Sequence, residues 1–107
     1  MRYMYHATPK ENLNSILEHG LRPGIDGCVY LCEQPKEAIR FLLVKQPEVI
    51  VVFEIAISDE DEARIKESFD HSFEFFQCRA YGYNGTIPKE KIIDYEMYGK
   101  NKDALKE

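Results

Sequence analysis

The chain has 107 residues, enough for one domain with a small core. Its 44% hydrophobic and 31% charged residues exclude a disordered chain, and a net charge of -5 makes nucleic acid an unexpected partner, because phosphate binders usually carry a basic excess. Three Cys exclude a full disulfide framework and point to reduced thiols in a cytoplasmic setting. No signal-like leader opens the chain, and the longest apolar stretch, Val49 to Ile57, is too short to span a membrane.

Arg2 to His6 alternates and is rich in Tyr, which predicts a short strand. Thr8-Pro9-Lys10-Glu11 then predicts a helix start, with Thr8 as cap, Pro9 in the first turn and Glu11 completing a capping box. Leu13, Ile16 and Leu17 share one face of a helix running to His19, and Gly20 closes it. Pro23, Gly24 and Gly27 mark a turn-rich loop. Cys28 to Cys32 reads as a second strand, with Cys28, Tyr30 and Cys32 on one face and Val29 and Leu31 on the other.

Pro35 opens a second helix whose buried stripe is Ala38, Ile39, Leu42 and Leu43, and Pro47 closes that unit. Val49 to Ile57 is apolar on both faces, as a central strand covered on both sides would be. Ser58 to Ser68 is acidic and reads as a loop or a short exposed helix. Its run Asp59-Glu60-Asp61-Glu62 reads as solvated surface. Asp70 to Phe76 is irregular and aromatic. Arg79 to Tyr83 reads as a strand, Asn84-Gly85 as a turn and Lys91 to Tyr98 as the last strand. The order, with strands dominating the second half, predicts an α+β domain over residues 1–98 and a polar tail over 99–107.

Few residues stand out chemically. His6 ends a strand just before a helix start, where backbone N–H groups favour anions and polar ligand groups. A lone histidine is more often structural, and so is a mid-strand tyrosine such as Tyr30 with its hydroxyl bonded. Gly27, just before that strand, would permit a close approach. Cys28 and Cys32 would lie about 13 Å apart on an extended strand, too far to share a zinc ion. His6, His19 and His71 show no ligand spacing, so no metal is expected. A Cys28 or Cys78 nucleophile has no local support. Phosphate-binding and dinucleotide-binding glycine motifs are missing, as is a serine-hydrolase elbow. Glu54 stands in an apolar strand, where burial or an exposed strand face both account for it. Phe73, Phe75, Phe76, Tyr95 and Tyr98 either cap the core or form a patch for a partner.

Three segments together resemble the ADP-ribosyltransferase-like fold. Tyr5-His6-Ala7-Thr8, followed by Asn12 to Leu17 and Gly20-Leu21, is similar to the His-Gly-Thr opening of those enzymes and to their helix ending in Gly-Leu. Gly27-Cys28-Val29-Tyr30-Leu31 resembles the strand that bears their tyrosine. Tyr81 to Ile92, with Ile87-Pro88-Lys89-Glu90-Lys91-Ile92, resembles the Ile-Pro segment near the end of small members, among them RNA 2'-phosphotransferase and DNA-modifying toxin relatives. The likeness runs from about residue 3 to 96.

The resemblance implies a small split β-sheet flanked by short helices, with an NAD-binding cleft. His6 would hold the ribose of the nicotinamide half, backbone at Ala7 would hold the carboxamide, and Tyr30 would stack on the nicotinamide ring. Thr8, Asn12, Gln77 and Arg79 complete the expected contacts. Breaking the glycosidic bond passes through an oxocarbenium-like state, and a carboxylate usually holds the ribose 2'-hydroxyl. The family's place for that glutamate falls near Gln77, Cys78 or Arg79, none of them a carboxylate; Glu74 upstream or Glu90 downstream would fill it with a shift in register, or no carboxylate does. The phosphotransferase branch uses a histidine with several arginines, of which Arg79 is placed to match.

The implied activity is an NAD-dependent ADP-ribosyltransferase or NAD glycohydrolase acting on a nicotinamide or adenine nucleotide, with a protein or nucleic acid acceptor. The alternative is an inactive module that binds NAD or ADP-ribose. Small size admits a phage or mobile-element origin. A third reading keeps the fold as a protein-interaction domain without a ligand.

Overall fold

The structure is a computed structural model, and it describes residues 1–43, 48–68 and 80–99. It contains two small antiparallel sheets and a few short helices, the α+β class expected. One sheet has the order β1-β3-β6, from β1 (Arg2–Pro9), β3 (Val49–Ile57) and β6 (Ile92–Gly99). The other has the order β2-β5-β4, from β2 (Cys28–Leu31), β5 (Ala80–Asn84) and β4 (Ile65–Ser68). The helices are α1 (Leu13–His19), α2 (Pro35–Leu43) and α3 (Asp59–Glu62).

Alternation along each strand decides what is buried. On β3, Val51, Phe53, Ile55 and Ile57 are fully enclosed on one face, while Ile50 and Val52 are buried on the other. The first face meets Met4, Leu31, Val29, Tyr83 and Ile87 to form the main core. The second packs with Tyr5, Ala7, Ile39 and Tyr98. The central, doubly covered strand predicted for Val49 to Ile57 is therefore present.

Backbone pairing also joins the two sheets. Tyr5 and Cys32 exchange two backbone hydrogen bonds, each 2.8 Å, joining the outer edge of β1 to the end of β2. A second pair of bonds, at 2.9 and 2.8 Å, couples Leu21 to Ile87. Gly20 makes this possible. Its φ is +83°, and a Cβ there would come within 2.3 Å of the Ile87 carbonyl oxygen.

Four expectations are corrected. Thr8 does not cap the first helix, because β1 runs on through Pro9 and keeps Thr8 in the ladder opposite Val51. Its buried hydroxyl accepts from the Asn12 side-chain amide at 2.9 Å instead. Lys10–Asn12 forms a 3₁₀ turn without a side-chain cap, so the α-helix begins only at Leu13.

The acidic run is not all solvated surface. Ser58 and Asp61 form the capping box of α3, and Asp61 is buried with Lys91 Nζ at 2.6 Å and the Tyr83 hydroxyl at 2.9 Å. A charged side chain accepts burial only when it is paired in this way. The stretch after α3 also contains β4, a strand beside β5 in place of the expected loop or short helix.

Pro47, His71, Phe73, Glu74, Phe75, Phe76, Gln77, Cys78, Arg79 and residues 100–107 lie outside the described residues, as do the side chains of Leu42 and Leu43. Among the described residues no helix is long and apolar enough to cross a membrane, and no group of three or more His, Cys, Asp or Glu is placed to hold a metal ion.

Candidate functional site

Met4, His6 and Thr8 share the inner face of β1 by strand alternation. Met4 and Thr8 are buried, and His6 between them is half-buried. The His6 Nδ1 lies 2.7 Å from the Tyr30 carbonyl oxygen. A carbonyl only accepts, so Nδ1 carries the hydrogen and the neutral ring keeps its lone pair on Nε2. This bond crosses from one sheet to the other, one residue from the Tyr5–Cys32 pair. Burial pushes the imidazole below its ordinary range, and the hydrogen bond to Tyr30 raises it partly back. The ring is therefore neutral at pH 7.

His6 lines a cavity of about 220 Å³ together with Thr8, Asn12, Ser15, Ile16, Gly20, Leu21 and Arg22. Its polar groups come from three sources: the inner face of β1, the first turns of the helix, and the residue after Leu21. Asn12 and Ser15 are three apart and so share a helical face. Arg22 is the cation of this lining. The arrangement offers an imidazole acceptor, three short polar side chains (Thr8, Asn12 and Ser15) and a guanidinium around one recess.

Tyr30 is on β2 with its ring above Gly82, whose added Cβ would lie 3.8 Å from Tyr30 Cε1 and 3.4 Å from Cys28 Sγ. Both are ordinary contact distances, so Tyr30 and Cys28 pack over Gly82. The Tyr30 hydroxyl donates to the Asp26 carboxylate. Tyr30 touches the site through its carbonyl and does not line the His6 cavity.

Of the other expected residues, Thr8 and Asn12 line the cavity and bond each other. The Ala7 side chain turns to the opposite face, against Ile50 and Val52. Glu90 is exposed on a 3₁₀ turn, Lys89–Lys91, that follows the segment packed against Gly20, and it is not among the lining residues. Glu74, Gln77 and Arg79 lie outside the described residues.

Ser15 and Arg22 escaped the reading of the sequence. The spacing of Ser15 from Asn12 carried a signal. The place of Arg22 depends on the Leu21–Ile87 bridge, which no local pattern announces.

The fold and cavity together define a small α+β protein with a polar recess beside the seam of two sheets. Over 36 residues, 34% of the chain, the sequence is 56% identical to the probable RNA 2'-phosphotransferase 2 of Archaeoglobus fulgidus. The match spans 17% of that relative's length. No family model matches the chain.

Proposed function

We propose that the chain binds NAD or a closely related nucleotide at the His6 cavity and uses it for ADP-ribosyl transfer. The observation that carries this reading is the His6–Tyr30 bond, which fixes the tautomer and leaves Nε2 as an acceptor on a residue that lines the recess. A ribose hydroxyl is its natural donor. Backbone supports the same reading. Tyr5 turns its N–H and C=O to the Cys32 side of β1, and period-two alternation turns those of Ala7 to the same side. An amide held there meets one donor and one acceptor, which is what a carboxamide needs. Arg22 supplies a positive charge for a phosphate. The partial likeness to an RNA 2'-phosphotransferase is compatible with a phosphorylated acceptor, while the chain's net charge of -5 disfavours a long RNA contact.

The test is release of nicotinamide from NAD by the wild type and by His6→Ala. Wild-type release that the variant lacks supports the reading. No release with protein, RNA or water as acceptor removes the transfer step.

A second reading has its own observation. Among the described residues no carboxylate lines the cavity, so a module that binds NAD or ADP-ribose without turnover fits the lining as well. Calorimetry separates the two: heat with NAD but no nicotinamide release selects binding alone. No heat with either nucleotide removes both.

A further inference from the structure

The face of the β1-β3-β6 sheet turned from the main core carries a second cavity, of about 170 Å³. It is lined by Tyr5, Pro35, Val52, Glu54, Asp94, Tyr95, Glu96 and Tyr98. Glu54 and Asp94 stand directly opposite each other on β3 and β6, and Glu96 follows opposite Val52. Like charges in that position destabilise a sheet. The Tyr5 hydroxyl donates to Glu54 at 3.0 Å and the Tyr98 hydroxyl to Glu96 at 2.6 Å, but both donors are neutral. Among the described residues no Lys, Arg or His pairs with any of the three carboxylates.

Among the described residues the strand that bears Asp94 and Glu96 is also an edge, since β6 pairs only with β3. It leaves apolar surface exposed at Ile93 (51%), Tyr95 (39%) and Met97 (44%). Tyr95 extends the core face, with its ring 6.0 Å from that of Phe53. A long edge with exposed apolar side chains is a template for strand pairing. Pairing with a second copy would bring more carboxylates to a face where, among the described residues, no carboxylate is paired with a cation, so the charge selects a basic occupant.

We propose that the outer edge of β6 docks an extended segment of a partner protein that alternates basic and apolar side chains, adding a fourth strand to the sheet. The apolar residues continue the Tyr95–Met97 surface. The Arg or Lys residues reach Asp94, Glu96 and the cavity over Glu54. The Tyr95 N–H now donates to the Asp94 carboxylate at 2.8 Å. On docking, a partner carbonyl takes that N–H and frees the carboxylate for the incoming cation. This surface is independent of the His6 cavity.

A short synthetic peptide alternating Arg and Val is the probe, titrated into the full chain and followed by amide NMR and hydrogen exchange. Its controls are the Glu–Val counterpart and a peptide with Arg and Val in two separate blocks. The expected result is binding of the alternating basic peptide, with slowed exchange at Tyr95 and Met97. The double variant Asp94→Lys, Glu96→Lys weakens it by roughly tenfold or more, and Glu96→Gln weakens it in the same direction.

Several results overturn the proposal: no binding, equal binding of the block peptide, or binding unchanged in the variants. So does full protection of the β6 edge in the free protein, which would mean that the edge is filled from within the chain. A dimer in sedimentation that the peptide does not dissociate would assign the edge to a second copy.

Discussion

Two side chains set opposite ends of the protein's response to pH. His6 is held below its ordinary pKa, by burial first, against the opposing pull of the Tyr30 carbonyl. The unfolded chain therefore binds a proton at this site at higher pH than the folded one. Stability is full above about pH 6.5 and falls as pH drops through that value toward the folded one. Urea midpoints between pH 8 and pH 5 measure this slope. His6→Asn should flatten it, and an unchanged slope would refute the assignment.

Asp61 acts lower on the scale. Burial alone would raise it, but Lys91, the Ser58 backbone and hydroxyl, and the Tyr83 hydroxyl together hold it well below the usual carboxylate range. Its contribution is present above its ordinary value of 3.8 and is lost as pH falls through the lower folded one. The same hydrogen bond, after burial, pushes Tyr83 up to about 12. Asp61→Ala leaves a cation and a hydroxyl without their acceptor and should cost roughly 2–4 kcal/mol, the usual loss for a buried pair reduced for the partly exposed Lys91. Tyr83→Phe should cost less, and the double variant should fall short of the sum. Strict additivity would show that the two groups do not share one network.

At the scale of elements, the decisive joint is the end of α1. The sequence places Gly20 there as a helix stop, and the stop exists, with the Gly20 N–H bonded to the Ile16 carbonyl at 2.8 Å. What local pattern does not reveal is that this glycine also lies against the backbone of Ile87, Pro88 and Lys89. Gly20→Ala meets a positive φ and a carbonyl oxygen that is part of the main chain, so neither can yield cheaply. Loss of about 2–3 kcal/mol is expected from strain and the weakened Leu21–Ile87 pairing. A change below about 0.5 kcal/mol by denaturant unfolding would contradict the close approach.

The same contrast governs what was legible elsewhere. Val49 to Ile57 is plain in the sequence because burial on both faces demands apolar residues at nearly every position, Glu54 being the exception. Ile65–Ser68 was not, because a short strand paired with β5 on one side tolerates the polar Lys66 and Glu67, which leaves Ile65 as its one apolar residue. Thr8 looked like a cap because capping depends on residue type, but the ladder with Val51 took precedence. Asp61 looked solvated because its partners, Tyr83 and Lys91, are 22 and 30 residues away. Of the site, His6, Thr8 and Asn12 were legible as a local junction. Arg22 needed the tertiary bridge.

At the scale of the whole molecule, two three-stranded sheets share one core but few hydrogen bonds. The Tyr5–Cys32 pair and the His6–Tyr30 bond cross the seam, and the Leu21–Ile87 pair ties the end of α1 to the segment after β5. The His6 cavity draws its walls from β1, from the helical segment that follows and from the Leu21 loop. A nucleotide bound there adds contacts that hold these parts together only while all are folded. Under the proposed function, ligand at about one hundred times its Kd contributes about 2.7 kcal/mol. For a domain of this size that raises Tm by roughly 10 °C. The whole transition should move as one, with far-UV and tyrosine signals shifting together. Amide exchange at Tyr5 and Cys32 should slow as well, because Tyr5 adjoins His6 in the cavity wall and Cys32 is bonded to Tyr5. His6→Ala should unfold as one unit, yet show no NAD-dependent rise. A rise that persists in His6→Ala would place the nucleotide elsewhere, and a rise confined to one signal would show that the two sheets do not melt together.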